Sequence, residues 1–417
     1  MKIGILTFHS QLNYGGVLQC WALQTALEKM GHEVVVVDRW HNVDNSLLER
    51  GYNKWNWLQW AKFWIRSLFG LGDINPWLRV KRTKKFIKQY LHCTSYHFVD
   101  WKGAPENLGV QMLVVGSDQV WHCGDWGDPR VYLLEGAPRM PAIAYAASFG
   151  MTEMPHCLSK DDHELEALPI YRNGLARFQS ISCREAEGVE LCRLIGFDAT
   201  HVVDPTLLLD AEMWRRMVKT IVAAHDHRLV CYLLGEDYKL VLPALQNFAN
   251  ALNCRVDLFV DQGDGDLLPV PNSSAKLLGW LARQERHFGG KVRVYDSAGP
   301  VEFVSALANA RWVLSDSFHA LMFSCIFGKN VRMLSPVKDE RKKMFSRVKE
   351  IAAHVDGPII AHSVPDALDS FAKGERVDFN YAWIGNFRRE SEMWLQRNIE
   401  YALSRKSRLD EQPIVDS

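Results

Sequence analysis

The chain begins with an alternation of continuous apolar runs and amphipathic stretches, which predicts strands followed by helices. Residues 2–8, KIGILTF, form an apolar run of strand length. Residues 17–30 then place apolar side chains at helical spacing, and Gly31 suits the helix end that precedes the next apolar run, residues 33–38. This order predicts a βαβ unit at the start of the chain, with a polar loop between the first strand and its helix.

The same alternation continues and then restarts after Asp204-Pro205. Further strands are predicted at residues 112–118, 142–149, 179–185, 199–205, 228–235, 254–261, 291–296, 311–316 and 330–335. We therefore predict an α/β protein of two doubly wound, Rossmann-like domains joined near residues 205–226 and facing a cleft. The predicted domains are 1–205, on the acceptor side, and 206–390, on the donor side, followed by a C-terminal helix and tail at 391–417.

Composition agrees with a two-domain globular protein and argues against several other classes. The chain has 417 residues, longer than a single core usually supports, and its 49 basic residues balance 49 acidic ones, so nucleic acid is a poor first hypothesis. Its nine cysteines are scattered without CxxC spacing, which favours buried thiols in a reducing compartment. We see no signal peptide and no apolar run of 18 residues, so we expect a cytoplasmic protein that does not span a membrane.

Polar residues cluster where a predicted strand meets a predicted helix, in residues 313–324, VLSDSFHALMFS. The strand ends at Asp316, so Ser317 and His319 lie at a helix N-terminus, where free N–H groups favour an anion. Helix capping alone explains Ser315 and Ser317 equally well. Capping does not explain His319, which we interpret either as a buried structural histidine or as a group that transfers protons.

Several motifs, in this order, resemble the polysaccharide pyruvyl transferase family: GILTFHSQLNYGGVLQCWALQ, VVGSDQVW, YAASFG, SISCREAEG, VVDPTLLL, VLSDSFHALMFS and FSRV. The resemblance implies a cytoplasmic bacterial enzyme with two Rossmann-like halves, similar to B-type glycosyltransferases. It also implies transfer of the pyruvyl group of phosphoenolpyruvate to two saccharide hydroxyls as a cyclic ketal, with release of phosphate. That reaction belongs to cell-surface polysaccharide biosynthesis, such as exopolysaccharide or capsule, and needs no cofactor beyond the donor substrate.

This chemistry assigns roles to residues on the donor side. His319 is the predicted proton-transfer residue, and Asp316 is its predicted orienting partner. The donor carries a phosphate and a carboxylate, so it calls for cations and hydrogen-bond donors, for which we select Arg184, Ser317, Arg341, Ser346 and Arg347. Two simpler interpretations remain: Arg184 pairs with Glu185 or Glu187 on a surface, and the charged stretch around Arg347 is a solvated helix face.

The acceptor side is assigned to two loops of the N-terminal half. The predicted acceptor-binding residues are Asn13, Tyr14, Gly15, Gly16, Ser117, Asp118 and Gln119. Turn formation accounts for the glycines and for Asp118 about equally well. The acceptor sugar stays open, and a nucleotide-sugar glycosyltransferase or a noncatalytic carbohydrate-binding relative are the alternative functions.

The chain departs from the family at the histidine motif. Ser317-Phe318-His319 stands where some members of the family have Arg-Leu-His, so an arginine is missing there, and Arg184, Arg341, Lys342 or Arg347 are the candidates to replace it. The usual glycine after the histidine is Ala320, and His122 follows the Gln-Val-Trp stretch. These departures leave the reaction class in place and bear on the acceptor.

Two further features concern partners. Residues 54–88 contain five tryptophans and nine basic residues against one acid, which suits either an anionic membrane surface or a helical arm that packs its aromatic rings inside and keeps its cations wet. The sequence offers no HExxH motif or paired cysteines, so we predict no metal. The alternative is a Mg²⁺ site formed by Asp118, Asp125, Asp128 and Asp316, if folding brings them together.

Overall fold

A computed structural model describes most of the chain. The described residues are 1–10, 12–39, 76–123, 128–154, 166–219, 227–234, 238–260, 291–295, 297–336 and 345–410. Two parallel sheets with helices packed against them account for the described chain, which confirms the predicted fold class.

The N-terminal domain contains a seven-stranded sheet in the order β3-β2-β1-β4-β5-β6-β7. Its strands are β1 Lys2–Leu6, β2 Glu33–Arg39, β3 Cys93–Phe98, β4 Met112–Val115, β5 Ala142–Ala147, β6 Ser180–Cys183 and β7 Thr200–His201. Its helices are α1 Tyr14–Lys29, α2 Pro76–Tyr90, α3 Ala167–Leu175 and α4 Ala186–Ile195. The chain reverses direction across the sheet between β1 and β4, and parallel sheets bind ligands at the carboxyl ends of strands beside such a point.

The C-terminal domain contains a six-stranded parallel sheet in the order β10-β9-β8-β11-β12-β14, and a separate antiparallel pair, β13-β15. Its strands are β8 Arg228–Leu233, β9 Arg255–Val260, β10 Val292–Tyr295, β11 Trp312–Ser315, β12 Asn330–Leu334, β13 Val355–Asp356, β14 Ile360–Ala361 and β15 Asp378–Phe379. The remaining described helices are α5 Ala211–Val218, α6 Tyr238–Ala251, α7 Pro300–Asn309, α8 Phe318–Phe327, α9 Ser346–Ala352, α10 Val364–Ala372 and α11 Tyr381–Asp410.

An aromatic cluster joins the two domains beneath the cleft. The ring of Tyr14, at the start of α1, stacks on Phe303 of α7 with the centroids 4.4 Å apart. The Tyr14 hydroxyl donates a hydrogen bond of 3.0 Å to the carbonyl of Ala298. Behind this contact Trp214 packs edge-on against both Trp21 of α1 and Phe323 of α8. Aromatic rings bury large apolar areas, so this cluster fixes α1 against the second domain.

The chain returns to the first domain through α11, which starts at Tyr381, within the range predicted for the second domain, and continues into the predicted tail. The backbone N–H of Val203 donates a hydrogen bond of 3.0 Å to the hydroxyl of Ser391. Trp394 lies against Tyr145 of β5, with the ring centroids 6.2 Å apart. The last helix therefore ties the two domains together from the side.

Helix α2 contains the described end of the basic, Trp-rich segment. Phe86 is buried, and the guanidinium of Arg79 lies 4.5 Å from the Tyr14 ring centroid and donates a hydrogen bond of 2.8 Å to the carbonyl of Leu12. Lys84 and Lys85 are exposed. This part of the segment is a helix that packs against the protein and leaves these lysines exposed to solvent. Residues 54–75 lie outside the described residues. Among the helices that the structure describes, none has the length and apolar character needed to cross a bilayer.

Candidate active site

Loops from both domains converge at the cleft. Asp118 follows β4, Arg184 follows β6 and Asp204 follows β7, all at the carboxyl edge of the first sheet. His319 stands at the start of α8, directly after β11 of the second sheet. The side chains meet because both sheets present their carboxyl edges to the same space, as the sequence pattern predicts.

Arg184 organises the carboxylates of the first domain. Its Nη1 lies 3.1 Å from Asp204 Oδ2 and 3.5 Å from Asp118 Oδ1, and its Nε donates a hydrogen bond of 3.1 Å to Glu185 Oε1. The side chain is fully buried, and burial lowers its pKa, but the three carboxylates outweigh burial and raise the pKa above its ordinary value. Arg184 is thus permanently charged, and its Nη2 is buried without a hydrogen-bond partner among the described residues.

His319 enters this carboxylate cluster from the second domain. Its Nε2 lies 3.8 Å from Asp204 Oδ2, too far for a hydrogen bond, and this buried nitrogen has no hydrogen-bond partner in the described structure. Burial lowers the pKa of His319, the charges of Asp204 and Asp118 oppose that shift, and Arg184 and Arg347 add to it. The net pKa is below the ordinary value of about 6.5, so the ring is neutral at pH 7 and can accept a proton.

Gly15 makes room for the imidazole of His319. A Cβ placed on Gly15 would lie 2.0 Å from His319 Nδ1 and 2.3 Å from Cε1. Gly15 also donates its backbone N–H to the side chain of Asn13, which caps α1, at 2.9 Å. Because Gly15 has no side chain, the histidine of the opposite domain can pack against the first turn of α1.

Arg347 of α9 places a second guanidinium at the site. Phe318 contacts both cations, with its ring centroid 4.9 Å from Cζ of Arg184 and 5.2 Å from Cζ of Arg347. Arg347 Nη1 is 3.7 Å from Glu185 Oε1, and the Arg347 side chain is 12% exposed. Burial and the charge of Arg184 lower the pKa of Arg347 to about 10, so an incoming anion would be stabilised there.

Asp204 is the carboxylate nearest to the histidine. Its Oδ1 accepts hydrogen bonds from the backbone N–H and the hydroxyl of Thr206, at 2.9 and 2.7 Å. Burial raises the pKa of Asp204, but His319, Arg184 and the Thr206 hydrogen bonds outweigh burial and hold it below its ordinary value. The carboxylate is therefore ionised, and its charge faces Nε2 of His319.

Three other residues selected from the sequence lie close by, and the side chains of two of them make hydrogen bonds within the protein. Asp316 Oδ1 accepts a hydrogen bond of 2.7 Å from the backbone N–H of Leu234, so its carboxylate supports the end of β8. The hydroxyl of Ser117 is buried and donates to the carbonyl of Ala146 at 2.8 Å. Ser317 precedes α8 without a capping hydrogen bond from its side chain.

The remaining selected residues divide between the site and its surroundings. Tyr14 belongs to the domain interface, and Gln119 packs over Gly150, where a Cβ would lie 2.5 Å from Nε2. Gly16 faces Asp118, and a Cβ added to this glycine would lie 3.4 Å from Oδ2. Ser346 is the first residue of α9. Arg341 lies outside the described residues.

Asp204 and Glu185 were not selected from the sequence as site residues. Glu185 Oε1 accepts a hydrogen bond of 2.7 Å from the hydroxyl of Ser148 besides its contact with Arg184. The motif VVDPTLLL contained the signal for Asp204, because an acid at the carboxyl end of a parallel strand points to the ligand edge. The same aspartate is also explained by capping of the short helix Pro205–Leu208, and the structure shows that it caps this helix.

The described aspartates of the alternative Mg²⁺ site each interact with a different part of the protein. Asp128 pairs with Arg130, Asp316 supports β8, Asp118 lies beside Arg184, and Asp125 is outside the described residues. Within the described ranges, no group of three or more His, Cys, Asp or Glu side chains has the geometry to hold a metal ion.

Comparison with known proteins connects this site to a family. The family model described as polysaccharide pyruvyl transferase matches residues 13–336, a span that includes all the cleft residues except Arg347 and its helix. No curated protein sequence matches the chain.

Solved structures share the fold at low identity. UDP-GlcNAc 2-epimerase from Neisseria meningitidis, bound to UDP-GlcNAc, is 10% identical with a TM-score of 0.50, over 96% of this chain and 100% of that one. UDP-GlcNAc 2-epimerase from Methanocaldococcus jannaschii is 13% identical with a TM-score of 0.50, over the same shares of the two chains. At such identities the likeness concerns the two-domain, B-type glycosyltransferase-like fold alone.

Proposed function

Because the chain belongs to the polysaccharide pyruvyl transferase family and is a transferase enzyme of that family, we propose that it uses phosphoenolpyruvate as the donor. In this proposal the enzyme joins the pyruvyl carbon to two hydroxyls of a saccharide as a cyclic ketal and releases inorganic phosphate. The acceptor belongs to a bacterial cell-surface polysaccharide, assembled in the cytoplasm at the inner face of the membrane.

The reaction balances without a redox partner. One acceptor hydroxyl adds across the double bond of the donor: its oxygen bonds to the carbon that carries the phosphate, its proton passes through a base to the methylene carbon, and phosphate then leaves. The second hydroxyl then closes the ketal ring at the same carbon. One of the two hydroxyl protons ends on the methylene carbon, which becomes the methyl group of the ketal. The other leaves with phosphate. The chemistry therefore calls for a base that can return its proton within the site.

The single observation that carries the proposal is the Nε2 of buried His319, which has no hydrogen-bond partner among the described residues and lies 3.8 Å from Asp204 Oδ2. A neutral imidazole takes the proton of an acceptor hydroxyl, and the ionised Asp204 stabilises the resulting imidazolium. As an imidazolium the ring then donates its proton to the methylene carbon or to the departing phosphate. Asp316 is engaged at β8, so Asp204 takes the supporting role that the sequence assigned to Asp316.

The donor's charges fit the two arginines differently. Arg184 is neutralised by three carboxylates, so it chiefly holds the cluster in place and offers only its buried Nη2 to a ligand. Arg347, whose pKa is lowered to about 10, gains most from an arriving phosphate or carboxylate. We therefore assign donor recognition first to Arg347 and second to Arg184, with the acceptor approaching over Asp118 and Gln119.

The function is tested by incubating the protein with phosphoenolpyruvate and a panel of galactosides and mannosides. Release of phosphate together with a product heavier by pyruvate less water supports the proposal. His319→Gln is the matched control, because it keeps a polar side chain of similar size without a titratable group. Transfer of a sugar from a nucleotide sugar would instead establish a glycosyltransferase, and saccharide binding without turnover would establish a noncatalytic relative.

A further inference from the structure

An ion pair links the two domains next to the cleft, outside the residues assigned to chemistry. His201, in the edge strand β7 of the first domain, has its Nε2 3.0 Å from Oε1 of Glu350 in α9. The same nitrogen lies 3.2 Å from the backbone carbonyl of Arg184. Both partners are acceptors, so Nε2 carries a hydrogen, and the pair touches the backbone of one cleft arginine directly.

Glu350 lies three residues after Arg347 in the same helix. Side chains at this spacing share one helix face, and both contact the first domain, Glu350 at His201 and Arg347 at Glu185. Helix α9 has only seven residues and packs into the core through Val348 and Ile351, and His354, just after its end, stacks on Trp383 of α11 at 3.7 Å. Such a short helix depends on packing for its position, since short isolated helices are marginal.

We propose that the His201–Glu350 pair positions Arg347 for donor binding, and that the positioning weakens when His201 loses its proton. This inference rests on the proposed function for its kinetic readout. It makes His201 and Glu350 positioning residues, because neither touches the assigned reaction centre except through Arg184 and Arg347.

The surroundings of His201 favour its charged form. Glu350 from α9 and Glu185 from the first domain supply this effect, whereas Glu187 and Glu190 only line the surface pocket that His201 borders, and the neutral Phe387 ring of α11 lies 4.8 Å away. Burial lowers the pKa of His201, but Glu350, the Arg184 carbonyl and Glu185 outweigh burial and raise the pKa above its ordinary value.

The sign of the pH effect follows from that raised pKa. The folded protein holds the His201 proton more tightly than the unfolded chain, so the link is at full strength below about pH 6.5 and weakens as pH rises through the folded-state pKa. The arginine is therefore held most firmly on the acidic side of neutrality. Above the folded-state pKa the neutral ring keeps a hydrogen bond to the Glu350 carboxylate but loses the attraction between opposite charges.

The test compares the wild-type protein with Glu350→Gln and His201→Gln, and uses Glu187→Gln as a control for removing a nearby acid. At pH 6 we expect both test variants to raise KM for phosphoenolpyruvate about 5-fold with a smaller change in kcat, since a pair of this exposure contributes up to roughly that factor. The KM difference from wild type should shrink toward pH 8.5. Glu187→Gln should match the wild type throughout.

Two measurements are independent of turnover. The His201 imidazole resonance, assigned by its loss in His201→Gln, should titrate at lower pH in Glu350→Gln than in the wild type. Amide hydrogen exchange of residues 346–352 should be faster in both test variants than in the wild type at pH 6. An unchanged titration, or unchanged exchange and KM, would overturn the positioning role. Absence of turnover in the wild type would overturn the proposed function, and exchange would still decide the positioning.

Discussion

The contact between Gly15 and His319 allows a one-methyl test of the site. An added Cβ would lie 2.0, 2.3 and 2.5 Å from Nδ1, Cε1 and Cγ of the ring. Carbon and nitrogen atoms in contact normally lie about 3.5–4.0 Å apart, so Gly15→Ala requires the imidazole to move by roughly 1.5 Å. The ring can rotate or the domains can separate, and both responses change the position of Nε2 relative to Asp204.

The expected loss follows from that displacement. A misplacement of about 1 Å can lower a rate about 10²-fold, and loss of a general base lowers it about 10²- to 10⁴-fold, so we expect kcat to fall at least about 10²-fold in Gly15→Ala. Overpacking costs about 1–3 kcal/mol of stability, partly offset by up to about 1 kcal/mol from the better helix propensity of alanine. The protein should therefore stay folded. Phosphate release measures kcat, and urea denaturation measures the free energy of unfolding.

Two controls make the test specific. Gly385→Ala places the same methyl group in helix α11, where no heavy atom lies within 4 Å, and should keep wild-type turnover with equal or higher stability. In a His319→Ala background the ring is absent, so Gly15→Ala should lose its stability cost, giving a coupling of about 1–3 kcal/mol. Near-wild-type turnover of Gly15→Ala, or an equal stability cost in both backgrounds, would refute the seating of His319 on Gly15.

Four further predictions concern charge and protons. His319→Gln should lose about 10²- to 10⁴-fold in turnover with its circular dichroism spectrum unchanged, and wild-type-like turnover would remove the proton-transfer role. Because burial lowers the pKa of His319, wild-type kcat at saturating donor should stay level down to about pH 6.5 and fall only below the lowered value, a limb that His319→Gln should lack; a fall in kcat that begins, with decreasing pH, above pH 7 would contradict a neutral ring. Arg184→Ala leaves three buried carboxylates without their cation and should destabilise the protein by about 3–5 kcal/mol, measurable as a lower Tm, whereas an unchanged Tm would place Arg184 outside the network. Turnover should persist in excess EDTA because Asp118 and Asp204 already share the Arg184 guanidinium, and recovery only after adding Mg²⁺ would point to a metal instead.

Much of the fold follows from local patterns in the sequence. The strands of both sheets are short apolar runs ended by polar residues, and the βαβ unit at residues 2–38 is readable because its apolar spacing changes from strand to helix. The switch between β1 and β4 then places NYGG and GSDQ at one edge. The extent of α11 was harder to read, because its charged, weakly amphipathic sequence depends on contacts with β5 and Val203 of the other domain.

Candidate site residues could be selected from the sequence at positions where no common structural role explains the residue type. An imidazole in the first turn of an apolar helix is such a residue, and His319 stood out for that reason. Asp204 did not stand out because Asp-Pro at a strand end has a sufficient local explanation as a cap, which the structure also shows. Its pairing with Arg184, 20 residues earlier, and its approach to His319 are made only by the folded chain.

The arginine missing from Ser317-Phe318-His319 is replaced by arginines that are distant in sequence and close in the folded structure. The family resemblance led us to expect, as in some members, an arginine two residues before the histidine, and this chain has Ser317 there. Arg347 reaches Phe318 from helix α9, and Arg184 reaches the same ring from β6, so two guanidiniums lie within 5.2 Å of its centroid. A cation supplied by a separate helix is only as well placed as that helix. An arginine next to the histidine in sequence would be positioned by α8 itself. Arg347 belongs to a different helix, so it depends on the His201–Glu350 pair, which holds α9 against the first domain at the edge of the cleft.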